Sequence, residues 1–324
     1  MIELGLDVSA IENIGNTPEI SVIAPIHNEA GNIEILVSRL TASLNSKTEN
    51  YEIVFVDDGS RDNSAALLEK AARQDSRIKI ISFSRNFGHQ MAITAGMEFS
   101  KGKSIVIIDA DLQDPPEIIP QMMAKWQEGF DVVYAVRKQR DGESLVKRIT
   151  AAVFYRLLKR LTEFDIPVDT GDFRLMDRKV VNAFLSMPER GRYIRGMISW
   201  LGFKQTGITY DRAARTEGKT KFTMRKMIRF AFEGITSFSF APLQFATFLG
   251  MTCSAVAFLM LIYVFISKFF DQQVVRGWTS LMAIIIFLGG IQLLMIGILG
   301  EYIGRLVTEQ KKRPLYIVQK KTNI

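Results

Sequence analysis

Two long apolar runs near the C-terminal end constrain the fold of this chain most strongly. Leu243–Ser267 contains no charged residue and would extend about 36 Å as a helix, enough to cross the hydrocarbon core of a bilayer. Trp278–Leu299 is a second run without charge. Both runs lie far from residues 1–16, which carry acidic but no basic side chains, so we expect neither run to be a secretory signal. The sequence therefore predicts a hairpin of two membrane spans, at about 243–267 and 278–300, with two buried core helices as the alternative.

Basic residues flank this hairpin on its outer sides. Three stand at 225–229 and four at 305–313, whereas the loop between the runs offers Lys268 and Arg276. By the positive-inside rule we expect an integral protein of the cytoplasmic (inner) membrane with both termini in the cytoplasm. The net charge of +7 fits an anionic membrane surface and anionic substrates, and we find no nucleic-acid-binding motif. Cys253 is the single cysteine, so a disulfide within the chain is excluded.

The preceding part of the chain alternates between strand and helix patterns. Apolar, β-branched runs predict five strands, and helical periodicity follows three of them; the strands are expected at 20–25, 52–56, 78–83, 104–108 and 132–136, and the helices begin near 33, 62 and 91. Such alternation is typical of right-handed βαβ units. We therefore predict an α/β, Rossmann-like domain with a mostly parallel sheet.

Two carboxylates, Asp109 and Asp111, follow the fourth predicted strand. Ligands of open α/β sheets bind at the carboxyl ends of the strands. Oxygen donors there suit Mg²⁺ or Mn²⁺, which bind few protein ligands and otherwise coordinate water and substrate phosphates. Alone, the pattern fits a solvated turn equally well. Asp114, followed by two prolines, is predicted to start the next helix.

Eight motifs along the chain carry a family resemblance. They are PIHNE at 25–29, VDDGS at 56–60, NFGHQ at 86–90, DADLQ at 109–113, TGDFRLM at 170–176, RGM at 195–197, WLGF at 200–203 and RTEGKTKF at 215–222. In this order and spacing they resemble the GT-A family 2 glycosyltransferases over about residues 18 to 310. The chain is most similar to the polyisoprenyl-phosphate branch, which includes the bacterial bactoprenol (undecaprenyl-phosphate) glucosyltransferases and dolichol-phosphate mannose synthase.

The resemblance implies roles for particular residues. Those implied for the nucleotide-sugar donor are Pro25, Asn28, Glu29, Asp57, Asp58, Gln90, Asp109, Ala110 and Lys221. Those implied for the metal are Asp111, Gln113 and Asp109, and those for the lipid phosphate are Arg137, Arg148, Arg174 and Arg215. Asp109, Asp111, Arg148 and Arg215 form the implied catalytic set. Capping of turns is the alternative for Asn28, Asp57 and Asp58. Solvated charges are the alternative for the arginines.

The two histidines are not expected to act in catalysis, and two roles are open for Asp172. His27 and His89 are the only histidines, and because no cysteine or histidine cluster accompanies them a zinc site is not expected. His89 is expected near the diphosphate pocket or packed at a helix start. Asp172 is expected either to orient an arginine or to approach the sugar.

The implied reaction is inverting transfer of a hexose, glucose by resemblance, from a UDP-sugar to undecaprenyl phosphate. A phosphate monoester has a second pKa of about 6 and is already anionic at pH 7, so a strong catalytic base is unnecessary. GDP-mannose, UDP-N-acetylglucosamine and an aminoarabinose donor stay open as alternatives. So do a processive polysaccharide synthase and, from another class, a silent membrane scaffold or nucleotide-sugar sensor.

The predicted organisation has four parts. A cytoplasmic GT-A catalytic domain spans 1–222, an interfacial amphipathic helix 223–241, the transmembrane hairpin 242–304, and a basic cytoplasmic tail 305–324. The spacing of Gly297, Gly300 and Gly304 permits close helix contact. The run 315–318 is expected to form a strand, in this chain or against a neighbouring subunit. The resemblance further implies a homo-oligomer, namely a tetramer.

Overall fold

The computed structural model describes residues 17–137, 170–210, 241–270 and 277–324. The described residues fall into two units. One contains an eight-stranded sheet with its covering helices. The other contains two long helices. Outside the described residues lie the predicted interfacial helix and also Arg148, Arg215 and Lys221.

The secondary structure follows the predicted alternation. The strands are β1 (Ile20–Ile26), β2 (Tyr51–Asp57), β3 (Ile78–Phe83), β4 (Ser104–Ile107), β5 (Val132–Arg137), β6 (Thr170–Asp177), β7 (Gln205–Tyr210) and β8 (Val318–Thr322). The helices are α1 (Ile33–Asn45), α2 (Ser64–Gln74), α3 (His89–Phe99), α4 (Ile119–Gln127), α5 (Arg178–Ser186), α6 (Ile194–Trp200), α7 (Ala241–Phe270) and α8 (Trp278–Gln310), with a 3₁₀ turn at Pro116–Ile118.

The sheet is mixed, with the order β7-β5-β6-β4-β1-β2-β3-β8. Strands β3, β2, β1 and β4 are parallel neighbours, and Ile20 of β1 lies opposite both Tyr51 and Ser104. Every residue of β1 and β2 is buried, as expected for inner strands covered on both faces. The carboxyl ends of these four strands therefore meet at one edge, which positions the site.

The five predicted strands are confirmed, and the prediction of a mostly parallel sheet needs one correction. Strand β6 lies antiparallel between β4 and β5, and β8 lies antiparallel on the outside of β3. The end of the predicted basic tail is thus a strand of this chain's own sheet. Its sequence, VQKKT, is polar and lysine-rich, which suits an exposed edge strand.

The start of α1 agrees with the predicted position near residue 33, whereas the start predicted at Asp114 differs from the structure. Asn32 occupies the N-cap of α1 without capping it, because its side chain donates to Glu29 Oε2 at 2.7 Å. Asp114 does not begin a helix: it is buried and accepts a hydrogen bond from the Tyr210 hydroxyl at the end of β7. This bond ties the loop after β4 to a strand three positions away in the sheet.

In the other unit, α7 and α8 are 30 and 33 residues long. One stretch of the described residues, Phe287–Gln310, is long and apolar enough to cross a membrane. The two helices contact at Gly250, where a Cβ would lie 3.2 Å from Met295 Cε. A Cβ added at Gly297, Gly300 or Gly304 would meet no atom of the described residues within 4 Å. The predicted small-residue contact is therefore made by a different glycine.

Candidate active site

The turns that follow β1, β2 and β3 are joined by hydrogen bonds. Asn28 accepts from Arg61 N at 2.8 Å through its side chain, and its own N–H donates to Ser60 Oγ at 3.0 Å. Asn28 holds a φ of +56°, a left-handed conformation that asparagine tolerates better than most residues. The first turn is therefore held in place by the second.

Asp57 and Asp58 each accept backbone hydrogen bonds, in agreement with the turn-capping alternative. Asp57 Oδ1 accepts from Ser60 N at 2.9 Å. Asp58 is buried and accepts from Phe87 N at 2.6 Å and Gly88 N at 3.0 Å. Burial raises the pKa of Asp58, and these two N–H groups oppose that rise. Asp58 thereby anchors the loop that leads into α3.

Gly59 allows the second and third turns to approach each other. Its φ is +65°, and a Cβ there would lie 2.6 Å from the backbone carbon of Arg85. A side chain at this position would be strained and would also displace backbone atoms. The close approach helps form a cavity of about 880 Å³ at this edge of the sheet, and Asn28 and Asp57 are among the residues that line it.

The loop after β4 carries Asp109 and Asp111. Asp111 Oδ1 accepts from Gln113 N at 3.2 Å, and Leu112 has a φ of +60°. A leucine in this region costs roughly 1–2 kcal/mol, and such strain persists only where surrounding contacts fix the loop. The buried bond between Asp114 and Tyr210 is one such contact.

A charged cluster lies beside Asp109. His89 Nε2 is 3.1 Å from Asp172 Oδ2 and 3.6 Å from Asp109 Oδ1, and Arg195 Nε donates to Asp172 Oδ1 at 2.7 Å. Gln90 completes the cluster: its Nε2 lies 3.4 Å from Asp172, and its Oε1 accepts from Ile194 N at 3.1 Å. Two acidic and two basic side chains from separate segments are thus brought together.

The charges in this cluster shift one another's pKa values. Burial raises the pKa of Asp109 to about 6, although His89 opposes the rise. Burial would also raise the pKa of Asp172, but Arg195 and His89 hold it well below the usual value. Burial lowers the pKa of His89, yet Asp172 and Asp109 outweigh it and raise that pKa to about 8. The imidazole is therefore cationic at neutral pH.

Arg174 lies behind the cluster on β6. It is buried, and its Nη2 donates to Gly171 O at 3.0 Å. Its Nε has no hydrogen-bond partner among the described residues, and burial lowers its pKa to about 10. The guanidinium stays charged and adds positive potential near Asp172. Its predicted contact with a lipid phosphate stays a prediction.

The residues at Asp109 and Asp111 fit a divalent cation. Asp109 Oδ1 is buried and has no hydrogen-bond partner among the described residues, which is costly unless a ligand meets it. The described residues contain no group of three acidic, histidine or cysteine side chains able to hold an ion by themselves. Mg²⁺ is usually bound by one or two carboxylates together with substrate phosphates.

The structure divides the predicted site residues into three groups. Asp109, Ala110, Asp111 and Gln113 lie in the loop after β4, beside Gln90 at the start of α3. Pro25, Asn28, Glu29, Asp57 and Asp58 lie in or next to the turns after β1 and β2. Arg137 ends β5 opposite Tyr210. The predicted roles of Arg148, Arg215 and Lys221 fall outside the described residues.

Sequence reasoning expected His89 near the diphosphate pocket but gave it no catalytic role, and it assigned no role to Arg195. Both stand in motifs that carried the family resemblance, at 86–90 and 195–197. A search for metal ligands passes over His89, because no second histidine or cysteine accompanies it. Its partner is instead Asp172, which is 83 residues away. Asp172 accepts a hydrogen bond from Arg195, as the first of its two expected roles requires, and its approach to the sugar stays a prediction.

Comparison with known proteins agrees with this fold. The family model described as glycosyl transferase family 2 matches residues 21–185, and a model described as the GtrB C-terminal hairpin matches residues 241–306. The uncharacterized glycosyltransferase YkcC of Bacillus subtilis (strain 168) is 50% identical over 304 residues, 94% of both chains.

Two further relatives have more specific names. The prophage bactoprenol glucosyl transferase homolog of Escherichia coli (strain K12) is 42% identical over 93% of this chain and 99% of its own. The bactoprenol glucosyl transferase of Shigella phage SfII is 40% identical over 93% and 98%. The solved mannosyl-3-phosphoglycerate synthase from Rubrobacter xylanophilus shares the fold, with a TM-score of 0.51 at 19% identity over 68% of this chain and 72% of that chain. This chain is therefore a member of glycosyltransferase family 2, with a GT-A catalytic domain followed by a GtrB-type hairpin.

Proposed function

We propose that this enzyme transfers a glucosyl group from UDP-glucose to undecaprenyl phosphate, with inversion, at the cytoplasmic face of the membrane. The observation that carries the proposal is the pair Asp109 and Asp111 at the sheet edge, next to the cationic side chains His89 and Arg195. Such a site suits a metal-bound diphosphate and a second phosphate. Similarity to the named bactoprenol glucosyl transferases over 93% of the chain supports the sugar and the acceptor.

The donor extends along the carboxyl edge of the sheet. The cavity at the ends of β1, β2 and β3 takes the nucleoside, with Asn28 and Asp57 in its wall. Strand β1 separates β2 from β4, so the ends of β2 and β4 are about 10 Å apart, two strand spacings. That separation is consistent with a diphosphate that reaches Asp109 and Asp111 while the nucleoside occupies the cavity.

A bound Mg²⁺ or Mn²⁺ would be held by Asp111, Asp109 and Gln113 and would supply positive charge to the departing UDP. The chain's own cations add to this. Arg195 is held by Asp172, and His89 is protonated at neutral pH. Fixed positive groups aimed at developing negative charge cost no reorganisation during the reaction.

The transfer step needs no protein base. An oxygen of the acceptor phosphate attacks the anomeric carbon from the face opposite UDP, forming the new C–O bond while the bond to the UDP oxygen breaks. No proton moves, because the acceptor phosphate is already anionic. Asp172 is unsuited to act as a base, since its pKa is held well below the usual value by Arg195 and His89. Its role is to position Arg195.

The lipid acceptor requires groups that meet it near the membrane. We assign the acceptor phosphate to Arg137, Arg148 and Arg215, whose guanidinium groups suit phosphate in a bidentate manner, with buried Arg174 supporting them through its charge. The segments 243–267 and 278–300 serve as two spans, with residues 223–241 as an interfacial helix and both termini cytoplasmic. Assembly into a homo-oligomer completes this proposal.

A donor panel tests the proposed function. The full-length protein in lipid nanodiscs containing undecaprenyl phosphate would be given Mg²⁺ and labelled UDP-glucose, UDP-N-acetylglucosamine, GDP-mannose or an aminoarabinose donor. We expect glucosyl transfer to the lipid from UDP-glucose, and its loss in EDTA with recovery on adding Mg²⁺ or Mn²⁺. Faster transfer from another donor would change the assigned sugar. Absence of transfer from all four donors would refute the proposed reaction.

A further inference from the structure

The C-terminal strand forms one wall of the cavity assigned to the nucleoside. Gln319 and Lys320 of β8 line it, together with Arg85 after β3 and with Arg61 and Glu69 from in or just before α2. The rest of the wall comes from β3 and the turns already described. A segment 262 residues beyond Asp57 in sequence therefore faces the same space as that aspartate.

This wall is firmly attached to the domain. Ser84 N donates to Ile317 O at 3.0 Å, and the rings of Phe83 and Tyr316 stack with centroids 4.9 Å apart. At the far end of the strand, Asn323 Nδ2 donates to two backbone carbonyl oxygens of the domain, at 2.8 and 2.9 Å. The position of Gln319 and Lys320 is therefore fixed on both sides.

The same contacts reach the loop that leads into α3, whose first residue is His89. Phe83, which stacks on Tyr316, also meets the ring of Phe87 edge-on, with centroids 5.6 Å apart. Phe87 is in turn the residue whose N–H donates to Asp58. The C-terminal segment thus packs against residues that lie between the cavity and the charged cluster.

The two lysines of the strand face opposite sides. Lys320 lines the cavity, where its Nζ lies 2.5 Å from Glu69 Oε1. Lys321 instead places its Nζ 4.1 Å from the centre of the Phe99 ring. Lys320 and Lys321 alternate as neighbours in a regular strand do. The register shift opposite Ser82 and Phe83 makes Gln319 an extra, bulged residue, so that Gln319 and Lys320 both line the cavity. The chain therefore contains a matched pair of lysines, of which one faces the cavity.

We propose that Gln319 and Lys320 contact the nucleoside half of the donor, so that the C-terminal strand helps determine which base the enzyme accepts. The inference rests on the proposed function, because it takes the cavity as the site of a nucleoside diphosphate. The Gln319 amide carries two donors and an acceptor and matches the polar edge of a base. Lys320, steadied by Glu69, donates to a nucleoside oxygen.

Nucleotide binding to the full-length protein tests this inference. Dissociation constants for UDP, uridine and GDP would be measured by calorimetry for the wild type and for Gln319→Ala, Lys320→Ala and Lys321→Ala. We expect Lys320→Ala to weaken both UDP and uridine about tenfold, as loss of one hydrogen bond to a charged group allows. Gln319→Ala is expected to reduce the ratio between the dissociation constants for GDP and UDP. Lys321→Ala is the control and should bind all three like the wild type.

A second variant, which removes the ion pair between Lys320 and Glu69, distinguishes a purely structural role of Lys320 from nucleotide binding. Glu69→Gln removes the same ion pair but leaves the ammonium in the cavity, so we expect nucleotide binding to be retained or strengthened. If Glu69→Gln and Lys320→Ala instead reduce the affinity for UDP equally and lower the melting temperature equally, Lys320 has only a structural role and the inference is wrong.

The remaining outcomes distinguish this inference from the proposed function. If the wild type binds UDP and transfers sugar while Lys320→Ala and Gln319→Ala both behave like Lys321→Ala, the inference fails and the proposed function stands. If the wild type binds no nucleoside diphosphate, both fail.

Discussion

Replacing Asp172 by asparagine tests how the charged cluster is held together. The change removes one negative charge 3.1 Å from His89 Nε2 and 2.7 Å from Arg195 Nε, while the shape of the side chain is kept. We expect the pKa of His89 to fall from about 8, because burial then opposes the charged imidazole with less compensation. We also expect turnover to fall at least about tenfold, since Arg195 loses the partner that orients it.

The size of the pKa change follows from the geometry. A rise from the ordinary value of 6.5 to about 8 corresponds to a net interaction of about 2 kcal/mol, in which the attraction of the carboxylates exceeds the cost of burial. The His89 side chain keeps 44% of its surface exposed, so solvent screens the pair and we expect about 1 kcal/mol, a fall of roughly 0.7 pH unit. Asp109 lies 3.6 Å from the ring and preserves the remainder of the rise.

The pKa of His89 can be measured by NMR because the chain contains few histidines. The chain has two histidines, so imidazole-labelled protein gives two NMR titrations, and His27→Gln assigns them. The titration is made without donor and in EDTA, with Glu34→Gln as a control for loss of a surface carboxylate. If His89 keeps a pKa near 8 in Asp172→Asn, the carboxylate is not the cause of the shift and our account of the cluster is wrong.

The same shift predicts how stability depends on pH. The pKa of His89 is higher in the folded protein than its ordinary value of 6.5. Its contribution to the free energy of unfolding is therefore complete below about pH 6.5 and is lost as the pH rises through about 8. Without ligand, the stability advantage of the wild type over Asp172→Asn should narrow across this window in chemical denaturation, and a constant difference would contradict the assignment.

Three further substitutions test the site. Asp111→Asn should reduce turnover at least about 100-fold with a melting temperature near that of the wild type, because it removes a proposed metal ligand at an open rim; near-normal turnover would contradict that role. Gly59→Ala should destabilise the domain by more than the roughly 1–2 kcal/mol of left-handed strain, because its Cβ meets the backbone of the next turn. Gly129→Ala is the control: its φ is +91° and the space around it is open, so chemical denaturation should show the strain alone. Tyr210→Phe should cost about 1.5–3 kcal/mol of stability by removing the bond to buried Asp114; unchanged stability would show that this bond does not hold the loop after β4.

The sequence by itself determined the elements whose signals are local. Runs such as 20–25 and 52–56 predicted inner strands because burial on both faces requires uninterrupted apolar residues. The pair Asp109 and Asp111 was visible because both carboxylates stand at the end of one such run. The apolar runs near the C-terminal end were equally plain, since membrane crossing depends on length and composition within a single segment.

Only the tertiary structure decided which distant segments meet. Strand β8 is short and polar, so its place beside β3 depends on an unpaired sheet edge rather than on its own apolar pattern. His89 and Asp172 come from α3 and β6, which no local motif relates, and β6 reaches Asp109 because it pairs antiparallel with β4. Hydrogen bonds and charge pairs act over a few ångströms, and sequence separation gives no measure of that distance. The composition of the charged cluster was therefore fixed by strand order in the sheet.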